Sequence, residues 1–204
     1  MNAVFRATVL HMRSVAPYRT QFLLVLALMV VLDLRSPTGL MVATAVILAP
    51  YLAVQPFQIA DKADLTTLYA VLPVTRRAVL LAYYAWAVVV YLGALIVGTA
   101  LSYVAARVEG DAFGGGQLTT LLTMSWALFA VNVAVQFPLL IRFGYTRVNV
   151  LATILPIALI MLAAYKLHLT IDAGQVWLPL LGVAGAAVLV ISATLTAHVF
   201  RHPE

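Results

Sequence analysis

Between Arg77 and Arg107 the chain passes through residues 78–106 without one charged side chain, and that stretch limits what the polypeptide can become. About 20 apolar residues in an α-helix cover the roughly 30 Å of a bilayer's hydrocarbon core. Similar runs recur, and the sequence predicts six spans at about 19–34, 39–57, 78–104, 117–140, 148–166 and 177–199. None shows the period-two alternation of a transmembrane β-barrel. With 64% hydrophobic and 9% charged residues, against about 45–50% and about 25% in soluble domains, the chain has far too much apolar surface for a soluble core. The expected fold is an all-α integral membrane protein. It has six transmembrane helices in a single transmembrane domain over residues 1–204, with an N-terminal interfacial helix and a short cytoplasmic polar helix.

Residues 1–18 mix Arg6, His11 and Arg13 with Phe5, Val9, Met12 and Ala16 at helical spacing, the pattern of a helix lying in the membrane interface. A secretory signal is the competing reading. Its only cleavage-like triplet, Ala43-Thr44-Ala45, falls inside the next apolar run, so the first span is expected to be retained. Counting Lys and Arg sets the orientation. With the N-terminus inside, Arg6, Arg13, Arg19, Lys62, Arg76, Arg77, Arg142, Arg147 and Arg201 are cytoplasmic; Arg35, Arg107 and Lys166 are outside. Both termini are then cytoplasmic. The net charge of +5 reports this bias and gives no sign of a nucleic-acid partner.

Few residues offer chemistry. There is no cysteine, no P-loop, no G-x-S-x-G elbow and no H-E-x-x-H. His11, His168, His198 and His202 are scattered, which does not make a metal site. No charged residue sits in the middle of a span, which disfavours an intramembrane enzyme or a proton-coupled carrier. The polar groups inside spans are uncharged. Asn132 and Gln136, one turn apart, are either helix–helix glue or a substrate-path lining, together with Tyr83 and Trp86 two turns into the third span. Pro50, Pro56, Pro138, Pro156 and Pro179 predict kinks. Gly182, Gly185 and Ala186 predict a close-packing face, and Trp177 an interfacial anchor.

The longest polar interruption is residues 57–77. Leu65, Leu68, Tyr69 and Leu72 recur on one helical face; Asp61 stands where an N-cap would and Asp64 can reach back to it. Pro73 ends that helix, and Thr75 can cap the next one, which begins Arg76-Arg77. The segment is a solvated loop at the membrane surface or a docking element for a soluble partner.

Asp61 followed by Leu72-Pro73-Val74-Thr75-Arg76-Arg77 and an apolar span containing Tyr83-Tyr84 resembles the ABC-2 type transporter permease subunits, in particular the small six-span bacterial branch of peptide and drug exporters. The resemblance implies a permease dimer, homo- or heteromeric, in the bacterial cytoplasmic membrane. Each subunit would sit on a separate nucleotide-binding ATPase subunit that holds ATP and Mg, with no cofactor and no catalysis in this chain. It makes Asp61, Lys62, Asp64, Leu65, Leu68, Tyr69, Leu72, Pro73, Arg76 and Arg77 the coupling segment, and residues 1–18 a connecting helix on membrane lipid. The connection between spans five and six, about ten residues, is too short for the extracellular domain of larger members. The alternative function is a membrane scaffold or assembly subunit that transports nothing.

Overall fold

The computed structural model describes residues 3–33, 37–63, 75–109, 115–148, 150, 151, 154 and 174–199. These form helices and connecting turns, with no strand among the described residues. The helices are α1 (Ala3–Val15), α2 (Arg19–Asp33), α3 (Pro37–Ala43), α4 (Ala49–Lys62), α5 (Arg76–Glu109), α6 (Gly115–Phe143) and α7 (Gly174–Val199). A 3₁₀ turn, Ala16–Tyr18, joins α1 to α2, and a π turn, Thr44–Leu48, joins α3 to α4. Five described segments are long and apolar enough to cross a membrane: Val4–Val31, Leu40–Lys62, Arg76–Val108, Leu118–Phe143 and Trp177–Val199. Most of the expected span at 148–166 lies outside the described residues.

At 34 residues, α5 is about 51 Å long and is the hub of the bundle. It packs on α1, α3, α4, the π turn and α7, while α6 and α7 form the most extensive helix pair. Where α5 passes the π turn the backbones are very close. A β-carbon on Gly98 would collide with Thr44 Oγ1 and sit 3.1 Å from Thr44 Cβ. The π turn lies just before Pro50, whose missing N–H leaves the Val46 carbonyl without its usual donor; a widened turn is a common answer to such a gap.

Two other prolines are accommodated by a neighbouring helix. Pro56 cannot donate to Leu52, and the Trp86 indole N–H from α5 donates to that carbonyl at 3.3 Å. Pro138 cannot donate to Ala134, and the Ser192 hydroxyl from α7 donates there at 2.9 Å. A hydroxyl has one proton. Ser192 therefore accepts from Tyr84 Oη at 2.9 Å, and Tyr84 Oη accepts from Thr196 Oγ1 at 3.1 Å. The chain Thr196–Tyr84–Ser192–Ala134 ties α5, α6 and α7 at the α6 proline.

If Trp86 serves to satisfy Leu52, Trp86→Phe should cost about 1 kcal/mol in a Pro56 background. It should cost clearly less with Pro56→Ala, where residue 56 can donate to Leu52 itself. Thermal unfolding of the four proteins in detergent measures this coupling, and equal costs in both backgrounds would discard the explanation.

The close-packing face of α7 is narrower than expected. Gly185 is buried, and a β-carbon there would lie 3.2 Å from Ala127 Cα; the Gly182 carbonyl accepts from Trp126 Nε1 at 3.1 Å. Ala186, however, faces outward. The buried stripe instead continues through Leu189, Ser192, Ala193, Thr196 and Ala197, at helical spacing. On α1 the expected apolar face is the outer one, since Phe5 and Met12 are exposed. The neighbouring stripe carrying His11 and Val15 packs inward, and His11 stacks on Tyr83 with ring centroids 4.5 Å apart.

Candidate functional site

Of the ten residues expected to form the coupling segment, Asp61, Lys62, Arg76 and Arg77 are described. Asp64, Leu65, Leu68, Tyr69, Leu72 and Pro73 lie outside the described residues. Asp61 is no N-cap, because α4 continues through it to Lys62 and ends with the Ala63 N–H on the Ile59 carbonyl at 2.9 Å. Its carboxylate has a different task. It accepts the Thr146 amide at 2.7 Å and also the Thr146 hydroxyl.

That contact depends on how α6 stops. Gly144 adopts φ +78°, and its N–H returns to the Leu140 carbonyl at 2.9 Å, a left-handed C-cap. Residues 145–148 resume as helix, with the Thr146 N–H among the donors that a helix start leaves unpaired. Asp61 meets that donor from another helix. The nearby Arg147 adds its charge to the hold of the Thr146 hydroxyl and amide on this carboxylate. The end of α4 and the turn after α6 are thereby joined at one end of the bundle. Thr146 was not predicted. Its only signal is a hydroxyl residue two places after a turn glycine.

At the other side of the polar segment, Thr75 caps α5 as expected. Its carbonyl accepts from Ala78 N at 2.8 Å, and its hydroxyl lies 3.4 Å from the same amide. Arg76 and Arg77 follow in the first turn, both exposed, with no acidic residue in that turn. Two cations at the positive end of a helix dipole cost roughly 0.3–1 kcal/mol each. Helix stability gives no reason to place them there.

The four expected path residues separate into two groups. Tyr83 and Trp86 are buried on α5, with Tyr83 sandwiched between His11 and Phe57, whose ring is 4.0 Å away. Trp86 satisfies Leu52 and also lines an apolar groove between α2, α4 and α5. Asn132 and Gln136 are buried on α6, beside Val133 and Phe137 of the core. Asn132 Oδ1 and, on α4, Gln55 Oε1 have no hydrogen-bond partner among the described residues. The two groups border one core. No cluster of three His, Cys, Asp or Glu occurs among the described residues.

A family model described as ABC-2 family transporter protein matches residues 11–200. No curated protein and no solved structure matches the chain.

Proposed function

The chain belongs to the ABC-2 family of transporter proteins, and on that premise we propose that it is the permease subunit of an ATP-driven exporter. It pairs with a second permease subunit, and each is driven by a separate nucleotide-binding ATPase subunit that binds ATP and Mg. Both termini and the 58–77 segment face the cytoplasm of a bacterial cell, and residues 1–18 lie along the inner membrane surface. The cargo is hydrophobic or amphipathic: a peptide antibiotic, a drug or a lipid. The uncharged character of the buried polar residues, Gln55, Ser102, Asn132 and Gln136 among them, supports such a cargo.

One observation carries the coupling role. Residues 64–74 are bounded on one side by Asp61, tied to Thr146, and on the other by Arg76 and Arg77 at the head of the hub helix. A push on that segment has two outlets. It reaches α5 directly, and it reaches the start of the next helix through Asp61. The exposed arginines, unfavourable where they stand, suit an acidic groove on the ATPase.

The test replaces Arg76 and Arg77 by Glu in the assembled complex in proteoliposomes. Affinity for the ATPase subunit should fall at least tenfold, with about 1.4 kcal/mol per decade, and ATP hydrolysis should lose its dependence on cargo. Membrane insertion should be normal. Leu65→Asp with Leu68→Asp should act alike. Unchanged affinity and coupling in both proteins would overturn the docking role.

A further inference from the structure

The tie between Asp61 and Thr146 joins two stretches that lead to different parts of the bundle. Both donors of one residue, the Thr146 amide and its hydroxyl, go to a single carboxylate oxygen, Oδ2. The other oxygen lies over the turn, since a β-carbon on Gly144 would stand 3.5 Å from Oδ1. A charged acceptor makes each bond roughly twice as strong as one between neutral groups.

Asp61 lies in the last turn of α4, three residues before residue 64, where the undescribed part of the coupling segment begins. Beyond the tie, Tyr145 and Val148 flank Thr146 and pack against the hydrophobic core. One turn back along α4, Phe57 meets Phe137 of α6 at an angle of 70°, with ring centroids 5.0 Å apart. The ends of α4 and α6 thus touch at two levels, through rings in the core and through Asp61 at the rim. Of these two contacts, the one at the rim reaches past Gly144. Asp61 therefore directs its carboxylate to a residue of its own chain, whereas Arg76 and Arg77 stand exposed at the head of α5.

We infer that Asp61 and Thr146 are a positioning pair that transmits coupling and takes no part in docking. Asp61 receives the displacement of residues 64–74, and Thr146 delivers it to the helix start at 145–148. The inference rests on the coupling role proposed above and gives it a receiving element besides α5.

The test uses the assembled complex in nanodiscs, without cargo. Hydrogen–deuterium exchange is read by mass spectrometry on peptides covering 64–74 and 145–148, before and after trapping with Mg–ATP and vanadate. In the parent, both regions should change on trapping. Asp61→Ala should keep the change at 64–74 and lose the one at 145–148. Its Thr146 amide should also exchange roughly tenfold faster, the effect of losing one charge-assisted hydrogen bond. Asp61→Asn should keep most of the response, since its carbonyl can accept the amide and its NH2 can donate to the hydroxyl. Thr146→Ala retains the amide bond and should weaken the response without removing it. Affinity for the ATPase subunit should stay within about twofold of the parent in all three, against the tenfold loss expected for the arginine variants.

A parent that responds at 64–74 but not at 145–148 overturns the pair. So does a response at 145–148 that is equal in the parent and in Asp61→Ala. If Asp61→Ala does not assemble, Thr146→Ala decides, and an undiminished response there overturns the pair. A tenfold loss of ATPase affinity in Asp61→Ala would make Asp61 a docking residue and end the assignment. A parent that shows no change at 64–74 is a different failure, since it removes the docking role itself and the pair with it.

Discussion

Gly98→Leu should leave almost no monodisperse protein after detergent extraction, because the added side chain would occupy the space of Thr44. Even one methyl group is expensive. In Gly98→Ala the new β-carbon overlaps Thr44 Oγ1, and neither backbone can move freely. Thr44 is buried, donates to the Met41 carbonyl at 2.9 Å and belongs to the π turn, while α5 is held by most of the bundle. Overpacking of this kind costs about 1–3 kcal/mol, and a leucine exceeds what a marginally stable chain tolerates. Gly98→Ala should lower the unfolding midpoint, and Thr44→Ala should restore much of the loss by removing the obstructing atoms. Gly93→Ala, one turn and a residue away but in open space, should be neutral. Size-exclusion profiles and melting curves of these proteins are sufficient, and a normal Gly98→Leu protein would mean that the π turn and α5 are not this close.

Ser192→Val should destabilise by about 2 kcal/mol. Valine, larger than serine by a methyl group, can neither donate to Ala134 nor accept from Tyr84, which strands a backbone carbonyl and a phenol where no water replaces the protein partner. Interhelical hydrogen bonds in membrane proteins average about 0.6 kcal/mol; the larger figure reflects two losses at once and an orphaned acceptor. The informative control is Pro138→Ala. Alanine at 138 has an N–H for the Ala134 carbonyl, so Ser192→Val in that background should lose only its Tyr84 share. Identical costs in both backgrounds would show that the proline has nothing to do with Ser192.

The sequence identified positions better than partners. Pro56 and Pro138 announced free carbonyls at Leu52 and Ala134, because a proline always withholds its own donor from the residue four before it. That Trp86 and Ser192 supply the missing donors depends on helix neighbours distant in the chain. The same separation hid Asp61: read locally it resembled a cap for the residues after it, whereas its partner Thr146 lies 85 residues later. Thr75 was legible because its cap is local.

On α1 the helical spacing of Phe5, Val9, Met12 and Ala16 did not tell which face packs on the bundle. Lipid tails are as apolar as a protein core, so Phe5 and Met12 can face outward while His11, stacked on Tyr83, faces inward. The uncharged amides Asn132 and Gln136 were legible as buried, but whether a buried amide faces a helix or a passage is a matter of tertiary packing. The groove beside Trp86 left no sequence mark, since its walls are made of the same residues as any span.

The two helices that flank the polar segment differ mechanically. α5 continues for 34 residues with no proline and no π turn. The path from Pro37 to Lys62 is interrupted by a π turn and carries two prolines beyond it. A load applied where they meet would travel along the first as along a strut, arriving at Glu109 with little lost, while the second would bend and absorb it. The membrane crossing on one side of the segment thus has the build of a lever, and the one on the other side that of a spring.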